Sequence, residues 1–88
     1  MKDITGEVII SEYEIPTLKS EPIKVGFKVA VNVYSKALDT MQDYNRMVMV
    51  IDGELERPSL MSYHLGNEQY LVGTRVTKKP KNVKVYRY

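Results

Sequence analysis

Basic and tyrosine side chains accumulate toward the end of the chain, where they could bind phosphates and stack on bases. Residues 69–88 hold no acidic side chain, whereas residues 1–22 hold five acids and two bases. Lysine and arginine bind phosphates, and tyrosine rings stack on unpaired bases. The candidate nucleic-acid-binding residues are therefore Arg75, Lys78, Lys79, Lys81, Lys84, Tyr86, Arg87 and Tyr88.

A solvated sheet edge is the competing interpretation of the same basic residues. Lysines on an edge strand keep the strands of other molecules from pairing with it. A basic tail can also pair with an acidic segment of its own chain, and the first 22 residues supply such a segment. The sequence leaves both interpretations open.

His64 is the single histidine, and with Ser62 it is the nearest approach to a catalytic pair. Alternation along a strand would put both side chains on one face. Residues two apart on a strand lie about 6–7 Å apart, which is too far for a direct hydrogen bond between nucleophile and base. We therefore expect a surface histidine, no catalytic residue and no enzymatic activity.

A metal or cofactor site has little support in the sequence. Asp52, Glu54 and Glu56 form a small acidic cluster, but the spacing is not that of a calcium-binding loop. The chain has no cysteine and one histidine, which excludes thiolate zinc sites and two-histidine motifs. The glycines are not grouped as a phosphate cradle requires. We expect no cofactor, no metal and no small-molecule substrate.

Length and composition predict one ordinary globular domain covering residues 1–88. The chain has 88 residues, of which 43% are hydrophobic and 27% charged, and its net charge is +2. These shares are those of a folded protein. No stretch is long and apolar enough to span a membrane, and the first ten residues do not resemble a secretory signal. We expect a cytoplasmic protein with no membrane partner.

The central stretch from Ile23 to Ile51 must position most of the core, and its first half fits two patterns. With a period of two, Ile23, Val25, Phe27, Val29, Val31 and Val33 share one face, as in a half-buried strand. With a period of 3.6, residues 22–44 form one long amphipathic helix. Four valines and a glycine favour the strand. Both patterns predict a helix over residues 35–44, where Ser35 can cap the first turn.

The flanking segments predict further strands. Residues 5–15 and 83–88 alternate in polarity, and residues 46–51 are apolar on both faces, which favours a strand covered on both sides. Asp52-Gly53 marks a turn. Residues 59–65 and 69–78 predict a hairpin through Gly66-Asn67, with a bulge or a close backbone approach at Gly73.

Together these patterns predict an α+β domain. It would contain a mostly antiparallel sheet of about five or six strands with one short helix packed on it. The long helix over residues 22–44 would instead give the order β-α-β-β-β-β. The predicted core is Val8, Ile10, Phe27, Val29, Val31, Leu38, Met41, Val48, Val50, Leu71 and Val85.

The function that these residues favour is that of a small non-enzymatic binding protein. It would contact single-stranded nucleic acid or RNA through a basic, tyrosine-bearing C-terminal hairpin, with Tyr70, Tyr86 and Tyr88 as stacking platforms. The alternative is a homo-oligomeric protein-protein interaction module, such as an adaptor or inhibitor encoded by a virus or mobile element. A chain of this size gains stability by dimerising, so we expect a homodimer.

Overall fold

The computed structural model describes residues 1–34, 45–64 and 69–88, and for Tyr34, Tyr63 and His64 it describes the backbone alone. These residues form eight strands and no helix. In chain order the strands are β1 (Lys2–Asp3), β2 (Val8–Ile15), β3 (Ile23–Tyr34), β4 (Met47–Ile51), β5 (Glu54–Glu56), β6 (Ser59–His64), β7 (Gln69–Val76) and β8 (Val83–Arg87).

The strands make two antiparallel four-stranded sheets. Sheet A has the order β1-β8-β4-β5, and sheet B has the order β2-β3-β7-β6. Every pairing within them is antiparallel. The prediction of an α+β domain is therefore wrong, because the described chain is all-β and has no helix packed on a sheet. The helix predicted over residues 35–44 lies outside the described residues.

β3 is the strand that the alternation of residues 23–33 predicts, and it excludes the long helix over residues 22–44. β-branched side chains lose rotamer freedom in a helix and pack well on a pleated sheet. Val29, Val31 and Val33 are fully buried, as the alternation requires. Ile23 and Val25 are exposed, since β7 pairs with β3 only from Phe27 onward. The first part of β3 and the end of β2 thus extend beyond the rest of sheet B.

One core lies between the two sheets. Sheet B supplies buried side chains from β3 and β7, and sheet A supplies them from β4 and β8. Its members are Ile4, Val29, Val31, Val33, Met47, Met49, Ile51, Tyr70, Val72 and Val85. The burial of apolar side chains against both sheets is the main source of stability in such an arrangement.

The predicted core is confirmed in part. Val29, Val31 and Val85 are fully buried, and Ile10 packs against the core from its rim. Phe27, Val48, Val50 and Leu71 are only half-buried, and Val8 is exposed. Leu38 and Met41 lie outside the described residues. The inner face of β4 carries its two methionines and Ile51, because a strand that is apolar on both faces does not reveal which face turns inward.

β6 and β7 form the predicted antiparallel pair, whereas β7 and β8 are not neighbours. The segment from residue 77 to 82 instead crosses from sheet B to sheet A. The C-terminal basic residues therefore do not share one hairpin, since Arg75 lies on β7 and Lys84 on β8. Gly73 makes the predicted close approach, since a Cβ there would overlap the Val29 carbonyl oxygen and lie 3.0 Å from the Met61 sulfur.

Candidate functional site

The structure separates the predicted nucleic-acid-binding residues into three groups. Arg75 lies on the outer face of sheet B, near the end of β7. Lys78, Lys79 and Lys81 are exposed in the loop of residues 77–82, here called the crossing loop. The remaining four belong to β8 or follow it, in sheet A: Lys84, Tyr86, Arg87 and Tyr88. Tyr70, considered as a stacking platform, is buried in the core at 3% exposure and cannot stack on a base.

The β8 residues are engaged in contacts within the protein. Lys84 Nζ lies 3.8 Å from Asp3 Oδ2, so the basic strand does pair with the acidic N-terminal segment at this point. Tyr86 is half-buried and lies opposite both Val48 and Asp3. The Tyr88 hydroxyl donates to the Asn45 carbonyl at 3.2 Å. Arg87 points to the opposite face from Tyr86, because successive side chains on a strand alternate.

Asp3 is held in its ionised form by its neighbours. The Thr5 hydroxyl donates to Asp3 Oδ1 at 2.6 Å, and the Thr5 N–H donates to the same oxygen at 2.9 Å. The Thr5 hydroxyl bond, then the Thr5 N–H bond and Lys84, lower the pKa of Asp3 below its usual value. The carboxylate therefore stays charged beside Lys84.

Asp52 fixes the crossing loop against the turn between β4 and β5. Its Oδ1 accepts the N–H groups of Lys81 at 2.9 Å and Asn82 at 2.8 Å. Asp52 and Gly53 both have positive φ, 49° and 85°, as a tight two-residue hairpin turn requires. No group of three or more metal-ligating side chains occurs in the described ranges. The Asp52 carboxylate thus positions backbone in the loop that carries three lysines.

Arg75 has a cationic neighbour that the sequence analysis missed. Lys28 of β3 is its direct cross-strand partner, and both side chains are exposed. Within residues 1–34, 45–64 and 69–88, neither cation forms an ion pair with a carboxylate. Alternation could have shown that Lys28 points away from the core. Its position beside Arg75 depends on the pairing of β3 with β7, which no local pattern encodes.

A groove of about 590 Å³ borders the two cations. Its lining includes the two cations and, as apolar members, Gly73 and Met61. Ser59 and Thr74 complete the lining. Because Gly73 has no side chain, the Met61 side chain can lie across the sheet at this point. The groove therefore offers a positive rim beside a small, adaptable apolar surface.

Tyr13 holds the Arg75 side chain in place. The Arg75 Cζ lies 4.2 Å from the centre of the Tyr13 ring, within range of a cation-π interaction. Gly26 of β3 lies opposite Tyr13 in the sheet, and a Cβ there would overlap the Val76 carbonyl oxygen. Stacking on a ring leaves the N–H groups in the guanidinium plane able to bind phosphate oxygens.

Ser62 and His64 both lie on β6, two residues apart, as predicted. The His64 side chain is outside the described part of the structure. Ser62 lies opposite Leu71, beside the irregularity that makes room for Met61.

Comparison with protein-family models, with curated proteins and with solved structures finds no match. None of the described residues belongs to a helix long and apolar enough to cross a membrane.

Proposed function

We propose that this protein is a small non-enzymatic binding protein for single-stranded nucleic acid, RNA in particular. The contact surface is the outer face of sheet B together with the crossing loop. The cross-strand pair of Lys28 and Arg75 carries the proposal. Two like charges directly opposite each other destabilise a sheet. An anionic ligand bound at the pair would offset that repulsion.

The surroundings of the pair favour a ligand with several phosphates. The crossing loop begins two residues after Arg75 and presents Lys78, Lys79 and Lys81 to solvent. Asp52 holds the end of that loop in a fixed position. Five cations from two strands and one loop can bind consecutive phosphates of a polymer, whereas one small anion would use only two or three of them.

A single strand suits this surface better than a duplex. The described residues contain no helix to enter a major groove. The apolar part of the groove, at Gly73 and Met61, gives an unpaired base a place beside the phosphate-binding cations. Sheet faces of other single-strand-binding proteins combine cations with apolar or aromatic platforms in this way.

The proposed contact surface contains part of the predicted site. Arg75 and the three lysines of the crossing loop were predicted from the sequence, and Lys28 is added from the structure. Lys84, Tyr86, Arg87 and Tyr88 lie in sheet A and are not required. The cytoplasmic location stays a prediction of the sequence, as does the alternative function of an adaptor or inhibitor.

The experiment is fluorescence anisotropy with short RNA and DNA oligomers over a range of salt concentrations. Three or four phosphate contacts on a single strand should give a slope of log K against log salt of roughly −2 to −3. Lys28→Gln should reduce the magnitude of that slope by about 0.7 and weaken binding. Lys84→Gln is the matched control, since it removes the same charge from sheet A and should leave the slope unchanged.

Two outcomes would contradict this function. The first is a dissociation constant weaker than about 100 µM at low salt, the weak end of non-specific binding. The adaptor or inhibitor would then be the better hypothesis. The second is an equal loss of affinity in Lys28→Gln and Lys84→Gln, because general electrostatic attraction would then explain the binding without the groove.

A further inference from the structure

The described strands leave one long, regular sheet edge open. β1 and β5, the edges of sheet A, contain two and three residues. β6, at one edge of sheet B, has an irregular register between Leu60 and Ser62. β2, at the other edge, contains eight residues and pairs regularly with β3 from Val8 to Tyr13. Among the described strands, β3 alone pairs with β2.

The backbone of β2 has donors and acceptors directed away from β3. In an antiparallel pair, alternate residues direct both their N–H and C=O groups to the neighbouring strand. The Glu7 carbonyl accepts the Asn32 N–H at 2.9 Å, so Ile9, Ser11 and Tyr13 face β3 in the same way. The backbone groups of Val8, Ile10 and Glu12 therefore point to the open edge.

The first half of β2 has no side chain that keeps another strand away. Edge strands are usually protected by charged side chains, above all lysine, by proline, by a bulge or by being short. β2 contains no lysine, arginine or proline, and its two charged side chains, Glu12 and Glu14, lie in its second half. Val8, Ile9 and Ile15 are apolar and exposed, at 37%, 43% and 47%. Such an edge is suited to pairing with another strand.

We propose that a second copy of this chain pairs with β2, antiparallel, about a two-fold axis at Ser11. In this register Ile9 lies opposite Tyr13 of the second copy, an aromatic and β-branched pair that stabilises sheets. Glu12 lies opposite Ile10 of the second copy, and Glu14 opposite Val8 of the second copy. No carboxylate faces a carboxylate, and the whole of β2 is paired except its last residue. A shift that centres the axis on Glu12 would bring two carboxylates together.

This pairing extends the proposed function and rests on it for its purpose. The two copies would form one eight-stranded sheet, in which Lys28 and Arg75 of each copy lie in the same row as Ser11. The two Lys28 residues would be three strand spacings apart, about 14 Å. A single strand of nucleic acid crossing the joined outer faces could therefore bind both cation pairs.

Cysteine cross-linking tests the register directly, since the chain has no cysteine of its own. At a two-fold axis Ser11 lies opposite itself in a pair without direct backbone hydrogen bonds, with Cα atoms about 4.5 Å apart. That separation is within the range of a disulfide. Ser11→Cys should form a covalent dimer under mild oxidation without nucleic acid. Ser20→Cys, exposed in the connection between β2 and β3, should not. A monomeric Ser11→Cys, or equal cross-linking of both variants, would overturn the proposal.

Sedimentation equilibrium of two substitutions at one position tests the edge. Glu12→Pro removes a backbone N–H that points to the open edge, and Glu12→Ala keeps it. Both lose the ion pair of Glu12 with Lys24, whose atoms lie 3.0 Å apart, so the control is matched. Wild type and Glu12→Ala should reach twice the monomer mass of 10.2 kDa at micromolar concentration. Glu12→Pro should stay monomeric with an unchanged far-ultraviolet circular dichroism spectrum. A monomeric wild type would refute the pairing.

Nucleic-acid binding then separates this proposal from the function it extends. With an oligomer long enough to span both copies, Glu12→Pro should show about half the salt slope of the wild type. If the wild type binds nucleic acid but does not self-associate, the proposed function stands and the pairing of β2 is refuted. If it self-associates but binds no nucleic acid, the pairing stands and the proposed function is refuted.

Discussion

The Thr5 hydroxyl links the Asp3 carboxylate to the backbone of β8. It accepts the Val85 N–H at 2.9 Å and donates to Asp3 at 2.6 Å. Asp3 in turn lies beside Lys84. A single hydroxyl thus orients the carboxylate that neutralises a lysine of the predicted binding tract. Lys84 is therefore paired with a carboxylate, unlike Lys28 and Arg75 in the described structure.

Replacing Thr5 should change the titration of Asp3. In Thr5→Val the pKa of Asp3 should rise toward its usual value, because the hydroxyl bond is the largest cause of its lowering. Thr5→Ser keeps the hydroxyl and should keep the low pKa. A carboxyl group with a lowered pKa stabilises the fold above the unfolded pKa, and this contribution is lost as the pH falls through the folded pKa. Below about pH 4, the free energy of unfolding of Thr5→Val should therefore change less with pH than that of the wild type.

Carbon NMR of the Asp3 carboxyl group over a pH series measures the effect. Equal pKa values in wild type, Thr5→Ser and Thr5→Val would show that the hydroxyl does not hold the carboxylate. If the pKa of Asp3 rose in both variants, the hydroxyl would not be the cause of its low value in the wild type.

The sequence predicted some of the site residues and missed another for a definite reason. Arg75 and the crossing-loop lysines stand out because they occur in an acid-free stretch. Lys28 does not, since it alternates with apolar residues in an otherwise unremarkable strand. Only the register of β3 with β7 brings Lys28 opposite Arg75, although the two are far apart in the chain. A pattern limited to neighbouring residues cannot contain that information.

At the level of elements, the turn between β4 and β5 positions the crossing loop. The Asp52 carboxylate accepts two consecutive backbone N–H groups from that loop. The Asp52 N–H also donates to the Asn82 carbonyl at 2.9 Å. Of the three acids in the cluster predicted from the sequence, Asp52 therefore has a structural role. It holds the backbone of the loop that carries Lys78, Lys79 and Lys81.

Removing this anchor should loosen the loop. Asp52→Ala should lower the free energy of unfolding by about 1–3 kcal/mol, because two N–H groups lose a charged acceptor. Asp52→Asn retains an acceptor oxygen and tolerates positive φ, so it should cost less. Amide hydrogen exchange at Lys81 and Asn82 should accelerate in Asp52→Ala and change little in Asp52→Asn. Unchanged exchange in Asp52→Ala would show that the carboxylate does not hold the loop.

Local patterns predicted most of the strands, but not how the strands divide between two sheets. Alternation identified β3, β8 and the β6–β7 pair, and Asp52-Gly53 identified a turn. The basic C-terminal hairpin predicted from the sequence would pair β7 with β8. They separate into different sheets, because β7 pairs with β3 and β8 pairs with β4. Distant strands pair as the shared core requires, and the spacing of residues along the chain does not show which strands these are.

At the scale of the whole molecule, the two sheets have different outer faces. The outer face of sheet A has its lysine paired with Asp3 and its tyrosine half-buried. The outer face of sheet B has two cations without carboxylate partners in the described structure, next to a groove. We therefore propose that nucleic acid binds to sheet B and the crossing loop, and that self-association uses the edge of the same sheet.

A two-dimensional amide NMR titration with a short single-stranded RNA at low salt would show which sheet binds nucleic acid. We expect shifts at Lys28, Thr74 and Arg75 and in the crossing loop, with little change at Val48, Val50 and Lys84. Shifts confined to β4 and β8 would place the contact on sheet A and contradict binding at sheet B. An absence of shifts at saturating RNA would contradict nucleic-acid binding altogether.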